Sequence, residues 1–221
     1  MWDWNYAISI LPDILSAIGI TIGATVVGFV IALILGLILA VLIRSNNKIV
    51  SNISQGIVSF IRNTPLLVQL YFIFYVFPEF GLTLSPFVAG VIGLGVHYST
   101  YLSEVFRSGI ESIPEGQWEV GIALNFNRSQ TWRRIILPQA IPPIVPVIGN
   151  YFITMFKETP LLSAITLTEI LQTAKNIGAQ TFRYVEPITI VGILFLLLSY
   201  PASRLVNYLR KRIEEKYATN A

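Results

Sequence analysis

An all-α membrane protein with five transmembrane helices is the fold this sequence predicts, and three observations predict it. Of the 221 residues, 54% are hydrophobic and only 12% charged, about half the charge of a soluble globular domain. Several stretches of about 20 residues carry no Asp, Glu, Lys or Arg, the length a helix needs to cross a bilayer. Lys and Arg also gather in the segments that one orientation puts on a single side. In lipid, only helices and closed barrels satisfy their own backbone groups. The uncharged runs lack period-two alternation, so helices are predicted.

The first span is read over residues 14–43, at ~1.5 Å per residue longer than the hydrocarbon core, so it tilts or protrudes. The second covers about 58–77 and is interrupted early by Arg62, Asn63 and Pro65. The third covers 84–106, with Pro86 suited to its first turn. The fourth covers 140–156. Pro138, Pro142, Pro143 and Pro146 crowd its start, so its helix proper is expected to be short, from about Ile144 to Phe156. The fifth covers 187–207 and opens on Pro187. All 221 residues are read as one transmembrane domain. With the N-terminus outside and the C-terminus inside, 12 Lys and Arg residues lie inside and only Lys157, Lys175 and Arg183 outside.

Composition also excludes. No cysteine occurs, which removes a disulfide framework and a thiolate metal site. A metal role for His97 is not expected, because no second His or Cys exists to join it. The net charge of +3 is small and no basic nucleic-acid arm is present. The first residues carry Asp3 and Asp13 and no Lys or Arg, unlike the positive start of a signal peptide. No nucleophile, base and orienting group emerge together, so an enzyme in its own right is not expected.

The inside segment 108–138 is too polar to span. Pro114 precedes a short helical stretch, Glu115 to Asn125, on which Trp118 and Ile122 lie four apart and share a face. Asn125 tolerates the left-handed conformation that ends a helix. Ser129 reads as the N-cap of a second short helix, Gln130 to Ile136, stopped by Pro138. Such a hairpin either lies on the membrane surface or fits a groove on a cytosolic partner.

At this point the chain resembles a family. Glu119-Val-Gly121, Asn125 and Ile135-Ile-Leu137-Pro138 match in spacing the cytoplasmic loop of ABC importer permeases, Glu-Ala-Ala, three residues, Gly, nine residues, Ile-x-Leu-Pro. Gly121 replaces the second Ala and Asn125 the Gly. Arg62-Asn-Thr-Pro-Leu-Leu-Val-Gln69 is similar to a segment of the polar amino acid importer permeases. So are Tyr101 to Gln117 and Lys157-Glu-Thr-Pro-Leu-Leu-Ser163.

The resemblance implies a permease subunit of a type I ABC importer in a bacterial cell membrane. Two permease copies or homologues then form the path. A cytosolic ATPase dimer holds ATP and Mg, and an extracytoplasmic binding protein delivers the substrate. The loop helix, with Glu115, Trp118, Glu119, Gly121, Ile122 and Asn125, is then the coupling helix that docks on the ATPase. The sequence agrees with that division of labour: it has no Walker A pattern and no Gly-Lys dipeptide. An ion-coupled secondary transporter is the competing reading, which would call for internal repeats that the sequence does not show.

Ionisable groups inside spans are costly and are functional candidates by default. Arg62 either snorkels to the inner face or serves a structural or gating role. Pro65 removes an N–H beside Asn63 and Thr64, and the freed carbonyls there would be available to line a cavity. Glu104 and Arg107 are three apart and able to pair on one face. His97 and Tyr101 are four apart and share a face with Tyr98 beside them; packing or substrate contact are the two readings. Glu158 closes the fourth span, either in an interfacial ion pair or facing a substrate amino group. Thr166 to Glu169 reads as a capping box opening a helix that Gly178 ends.

Overall fold

The computed structural model describes residues 2–218, and every regular element among them is helical. Helix α1 (Trp4–Ser16) and α2 (Ile18–Ile43) form one long apolar run with a joint at Ala17. Asp3 caps α1, its carboxylate accepting the N–H groups of Asn5 and Tyr6. The helical run therefore begins ten residues before Ile14, the expected start of the first span. Pro12 lies inside α1, and the chain bends through the joint rather than ending there.

Helix α2 is apolar all round, and size, not polarity, decides which side faces inward. Its buried residues are Thr21, Ala24, Thr25, Gly28, Ala32, Gly36 and Ala40, three or four apart and so on one face. Val30, Ile34, Leu37 and Val41 point outward. In lipid a large apolar side chain loses nothing by facing out, and small residues let two backbones approach. The helix that approaches is α5 (Pro86–Glu111). Gly28 meets Leu94, Gly95 meets Ile31 and Gly36 meets Leu102, so the two run parallel.

Helix α5 buries Leu94, Tyr98 and Leu102 together with His97, Ser99, Thr100 and Ser103. The three hydroxyls donate back to the carbonyls of Val96, His97 and Thr100 at 2.6, 2.7 and 2.7 Å, which removes the cost of burying them. Being enclosed by its neighbours, α5 does not need an apolar surface.

By length and composition, three helical stretches among the described residues are apolar enough to cross a membrane: Trp4–Ile43, Arg128–Ile165 and Val185–Ile213. A fourth is the broken pair Lys48–Arg62 and Leu66–Phe80, bent by 99°. The segment expected as the third span, 84–106, forms α5 but is not among them.

The broken pair is α3 (Lys48–Arg62) and α4 (Leu66–Tyr71), the latter drawn out through a wide π turn to Val76 and a tight 3₁₀ turn to Phe80. Gly81, at φ 82°, closes it in the left-handed region. After α5 come α6 (Glu115–Ala123), α7 (Arg128–Thr131), a π turn over Trp132–Ile136, and α8 (Leu137–Glu158). The helix in the region expected as the fourth span thus starts earlier than the expected Ile144. Pro138 does not stop the preceding helix: it stands in the first turn of α8, directly after the π turn, whose shifted hydrogen bonds absorb the missing donor. Asn127, not Ser129, caps α7, in a reciprocal box with Gln130. Asn125 takes the left-handed conformation (φ 52°), as expected.

A 3₁₀ segment, Thr159–Ile165, leads to α9 (Ile170–Thr181) and then to α10 (Val185–Ala218). The expected capping box is displaced: Glu169 itself is the N-cap, accepting from Leu171 and Gln172, while Thr21 of α2 accepts from Ile170. Burial pushes the Glu169 carboxyl above its usual range, and these hydrogen bonds oppose that rise. The helix passes through Gly178 and ends at Phe182, which is left-handed (φ 55°) and 90% exposed. Helix α10 runs antiparallel to α8, with Phe195 against Phe156 and Val206 against Gly149.

Two ends of the bundle are tied by charge. Arg44 meets Glu111 at 3.4 Å where α2 and α5 finish. At the opposite end Arg183 binds Asp3 and the buried Glu186, and stacks over Tyr6 at 4.3 Å. The Asp3 N–H also donates to Glu186 at 3.1 Å. The Tyr6 N–H, helped by Arg183, holds the Asp3 carboxyl below its usual range.

Candidate functional site

The break between α3 and α4 positions the first part of the site. Pro65 cannot donate to the helix ladder and the residue before it avoids the helical region, so the chain turns at Asn63–Pro65. Gln69, one turn into α4, reaches back across the turn. Its amide nitrogen donates to the carbonyls of Ile61 and Thr64 at 2.7 and 2.9 Å. Its oxygen lies 3.2 Å from Nδ1 of His97 on α5.

His97 opens a row of rings. Its centroid lies 5.6 Å from Tyr98 and 5.3 Å from Tyr101, and Tyr101 lies 5.8 Å from Tyr151 of α8. The Tyr98 hydroxyl donates to the Glu158 carboxylate at 2.7 Å. At the other end of the row the Arg62 guanidinium sits over the Tyr101 ring at 4.9 Å. Four elements therefore converge: the end of α3, the start of α4, the middle of α5 and the second half of α8. The row carries a carboxylate at one end, a guanidinium at the other and ring faces between them.

Below Tyr101 opens a polar cleft of about 430 Å³, lined by Gln55, Ser59, Arg62, Asn63, Tyr101 and Glu104. Glu104 pairs with Arg107 at 2.6 Å, and Arg107 pairs again with Glu111 at 2.5 Å. The spacing-based pairing of Glu104 with Arg107 is thus present, extended by one more carboxylate.

Of the substrate-path candidates, the fold brings together His97, Tyr98, Tyr101 and Glu158. Asn63 lines the polar cleft beside Tyr101, and both it and Thr64 bond back to α3. Asn63 donates to the Ser59 carbonyl and hydroxyl at 2.8 and 3.2 Å, and the Thr64 hydroxyl donates to the Phe60 carbonyl at 2.8 Å. The Ile61 and Thr64 carbonyls at the break are held by Gln69. Sequence reasoning missed two members, Gln69 and Tyr151. Tyr151 had a signal, since it lies seven residues before Glu158 and so on the same face of one helix. Gln69 had none beyond its place just past the Pro65 break.

The loop site is separate. Trp118 and Trp132 pack edge to face at 5.3 Å, with Ile135 and Ile136 beneath them. A Cβ on Gly121 would lie 2.6 Å from the Thr131 methyl, so the closeness of α6 and α7 depends on that glycine. Trp118 and Ile122, four apart on α6, differ in surroundings: Trp118 packs into this small core and Ile122 is 79% exposed. Val120 and Leu124 are exposed beside it, as are Glu115 and Glu119.

Comparison with known proteins fits this arrangement. A family model described as binding-protein-dependent transport system inner membrane component matches residues 32–215. A probable amino-acid ABC transporter permease protein of Sinorhizobium fredii is 42% identical over 201 residues, covering 91% of this chain and 87% of its own. An L-cystine transport system permease protein of Bacillus subtilis is 41% identical over 165 residues, covering 72% and 68%. Among solved structures, the crystal structure of an amino acid ABC transporter with histidines aligns at a TM-score of 0.89 with 31% identity, over 96% of this chain and 99% of that one. The family model, matching residues 32–215, and these relatives show that the chain belongs to the binding-protein-dependent transport system inner membrane components, as a multi-pass permease subunit.

Proposed function

We propose that the chain is the permease of an ATP-driven importer for a polar amino acid or similar zwitterion. The match of the family model over residues 32–215 carries the reading, and the amino-acid permeases among the relatives supply the substrate class. In this reading the chain crosses the membrane five times, as α1–α2, the broken α3–α4 pair, α5, α8 and α10, with the N-terminus outside and the C-terminus inside. It pairs with a second copy or a homologue. A cytosolic ATPase dimer holds ATP and Mg, and an extracytoplasmic protein delivers the substrate.

The row His97, Tyr98, Tyr101 and Glu158 lines the path. A carboxylate at one end and the Arg62 guanidinium at the other suit a ligand that carries both charges. Arg62, Glu104 and Arg107 form the inner side of that path, and the break at Asn63, Thr64 and Pro65 is the bend that shapes it. Helix α6 docks on the ATPase, with Ile122, Val120 and Leu124 as its apolar contact and Glu115 and Glu119 beside them.

Two measurements test this. The tagged chain, drawn from native membranes in mild detergent, is expected to bring down a stoichiometric ATPase subunit. The reconstituted assembly is expected to take up an amino acid only with ATP inside the partner compartment. Uptake driven by an ion gradient with no ATP would overturn the reading.

A further inference from the structure

We propose that Gln69 is a positioning residue: it sets the tautomer of His97, and so which imidazole nitrogen faces the path. The proposal rests on the reading of the His97 row as that path. The Gln69 amide nitrogen stands against two carbonyl oxygens, those of Ile61 and Thr64, at 2.7 and 2.9 Å. Carbonyls only accept, so the nitrogen must face them and both of its protons are engaged. Turning the amide over would set its oxygen against two others. The amide oxygen is thereby fixed toward His97 Nδ1, 3.2 Å away. That oxygen has no proton to give, so Nδ1 must carry one. In a neutral ring the lone pair is then on Nε2.

The consequence is chemical. The Tyr98 proton is already committed to Glu158. At this level the row therefore offers two acceptors, the Glu158 carboxylate and His97 Nε2, and its ligand-facing chemistry calls for an N–H donor. A protonated amine supplies donors that suit either acceptor. With the opposite tautomer, His97 would present a donor to that amine and repel it. The lock is built from the break itself, because the two carbonyls that orient Gln69 belong to residues just before Pro65.

His97 is the chain's one histidine, so ¹⁵N-histidine labelling gives a single imidazole to observe. The full-length chain, purified through a histidine-free tag and placed in lipid nanodiscs, is expected to show a protonated Nδ1 and a bare Nε2. Gln69→Leu is expected to shift the population toward the Nε2–H form, the ordinary preference of imidazole. In the assembled transporter in proteoliposomes, Gln69→Leu is expected to raise KM for the substrate about tenfold with Vmax little changed, the loss of one hydrogen bond to a charged group. In a His97→Asn background, where no tautomer exists, the same change is expected to leave KM within about twofold.

An Nε2–H wild type, or a tautomer indifferent to Gln69→Leu, overturns the proposal. So does an equal KM effect in the His97→Asn background, which would mean that Gln69 acts only through the break. A tautomer that shifts while KM stays fixed keeps the lock and removes His97 from the path.

Discussion

At the scale of single residues, the most informative side chains are those that are missing. A Cβ on Gly36 would lie 2.9 Å from Leu102 Cβ and 3.0 Å from the Ser99 carbonyl, backbone against backbone with no flexible tip to give way. Gly36→Val is therefore expected to destabilise the chain by about 1–3 kcal/mol, the range for overpacking. Gly192→Ala, where nothing lies within 4 Å, is expected to stay within about 0.5 kcal/mol. Thermal unfolding of both variants in nanodiscs checks the contrast; equal midpoints would sink it. The side chains of the site were partly legible. His97 and Tyr101 share a face because helical spacing alone requires it. Gln69 was not legible as a member, because His97 lies 28 residues away on another helix and only the fold brings the two together.

At the scale of elements, the α6–α7 hairpin depends on one clearance. Gly121→Ala is expected to push α6 away from Thr131 and to lower substrate-stimulated ATP hydrolysis several-fold in the assembled transporter, while uncoupled hydrolysis by the ATPase is unchanged. Adding Thr131→Ala removes the methyl and hydroxyl that the new Cβ would strike at 2.6 Å and is expected to restore most of the stimulation. No recovery in the double variant would mean that Gly121 matters for another reason. Helix ends were the least legible feature. The Thr166–Glu169 pattern fits a capping box, but a buried Glu169 and a tertiary hydroxyl from Thr21 take the capping role instead. The proline-rich start of α8 reads as a break in isolation. In the chain, the π turn before it accommodates Pro138, and the helix continues through Pro142, Pro143 and Pro146.

At the scale of the whole molecule, the all-helical membrane fold was legible from composition, and the family from four ordered segments. The inward faces were not. Helix α2 shows no polar side to read, so only the stripe of Gly, Ala and Thr marks its buried face. Helix α5 carries so many hydroxyls that hydropathy undervalues it, because its neighbours and not lipid surround it. The proposed topology makes a direct prediction, aided by the absence of native cysteine. Phe182→Cys is expected to react with a membrane-impermeant thiol reagent applied to intact cells. Ile122→Cys is expected to react only after the cells are opened. Both positions are highly exposed in the chain by itself, so the labelling is done in cells that lack the ATPase subunit, which would otherwise cover Ile122; the reverse pattern would invert the orientation.

The tie among Asp3, Arg183 and Glu186 also has a meaning in time. Asp3 and Glu186 are separated by 183 positions along the chain, so the first helix leaves the ribosome long before its partners exist. At usual synthesis speeds the wait is on the order of ten seconds. During it, α1 has its lipid-facing surface but not the cation that its Asp3 will meet. A chain truncated before Arg183 would leave that carboxylate without its cation. Closing the tie thus waits until synthesis has passed Glu186.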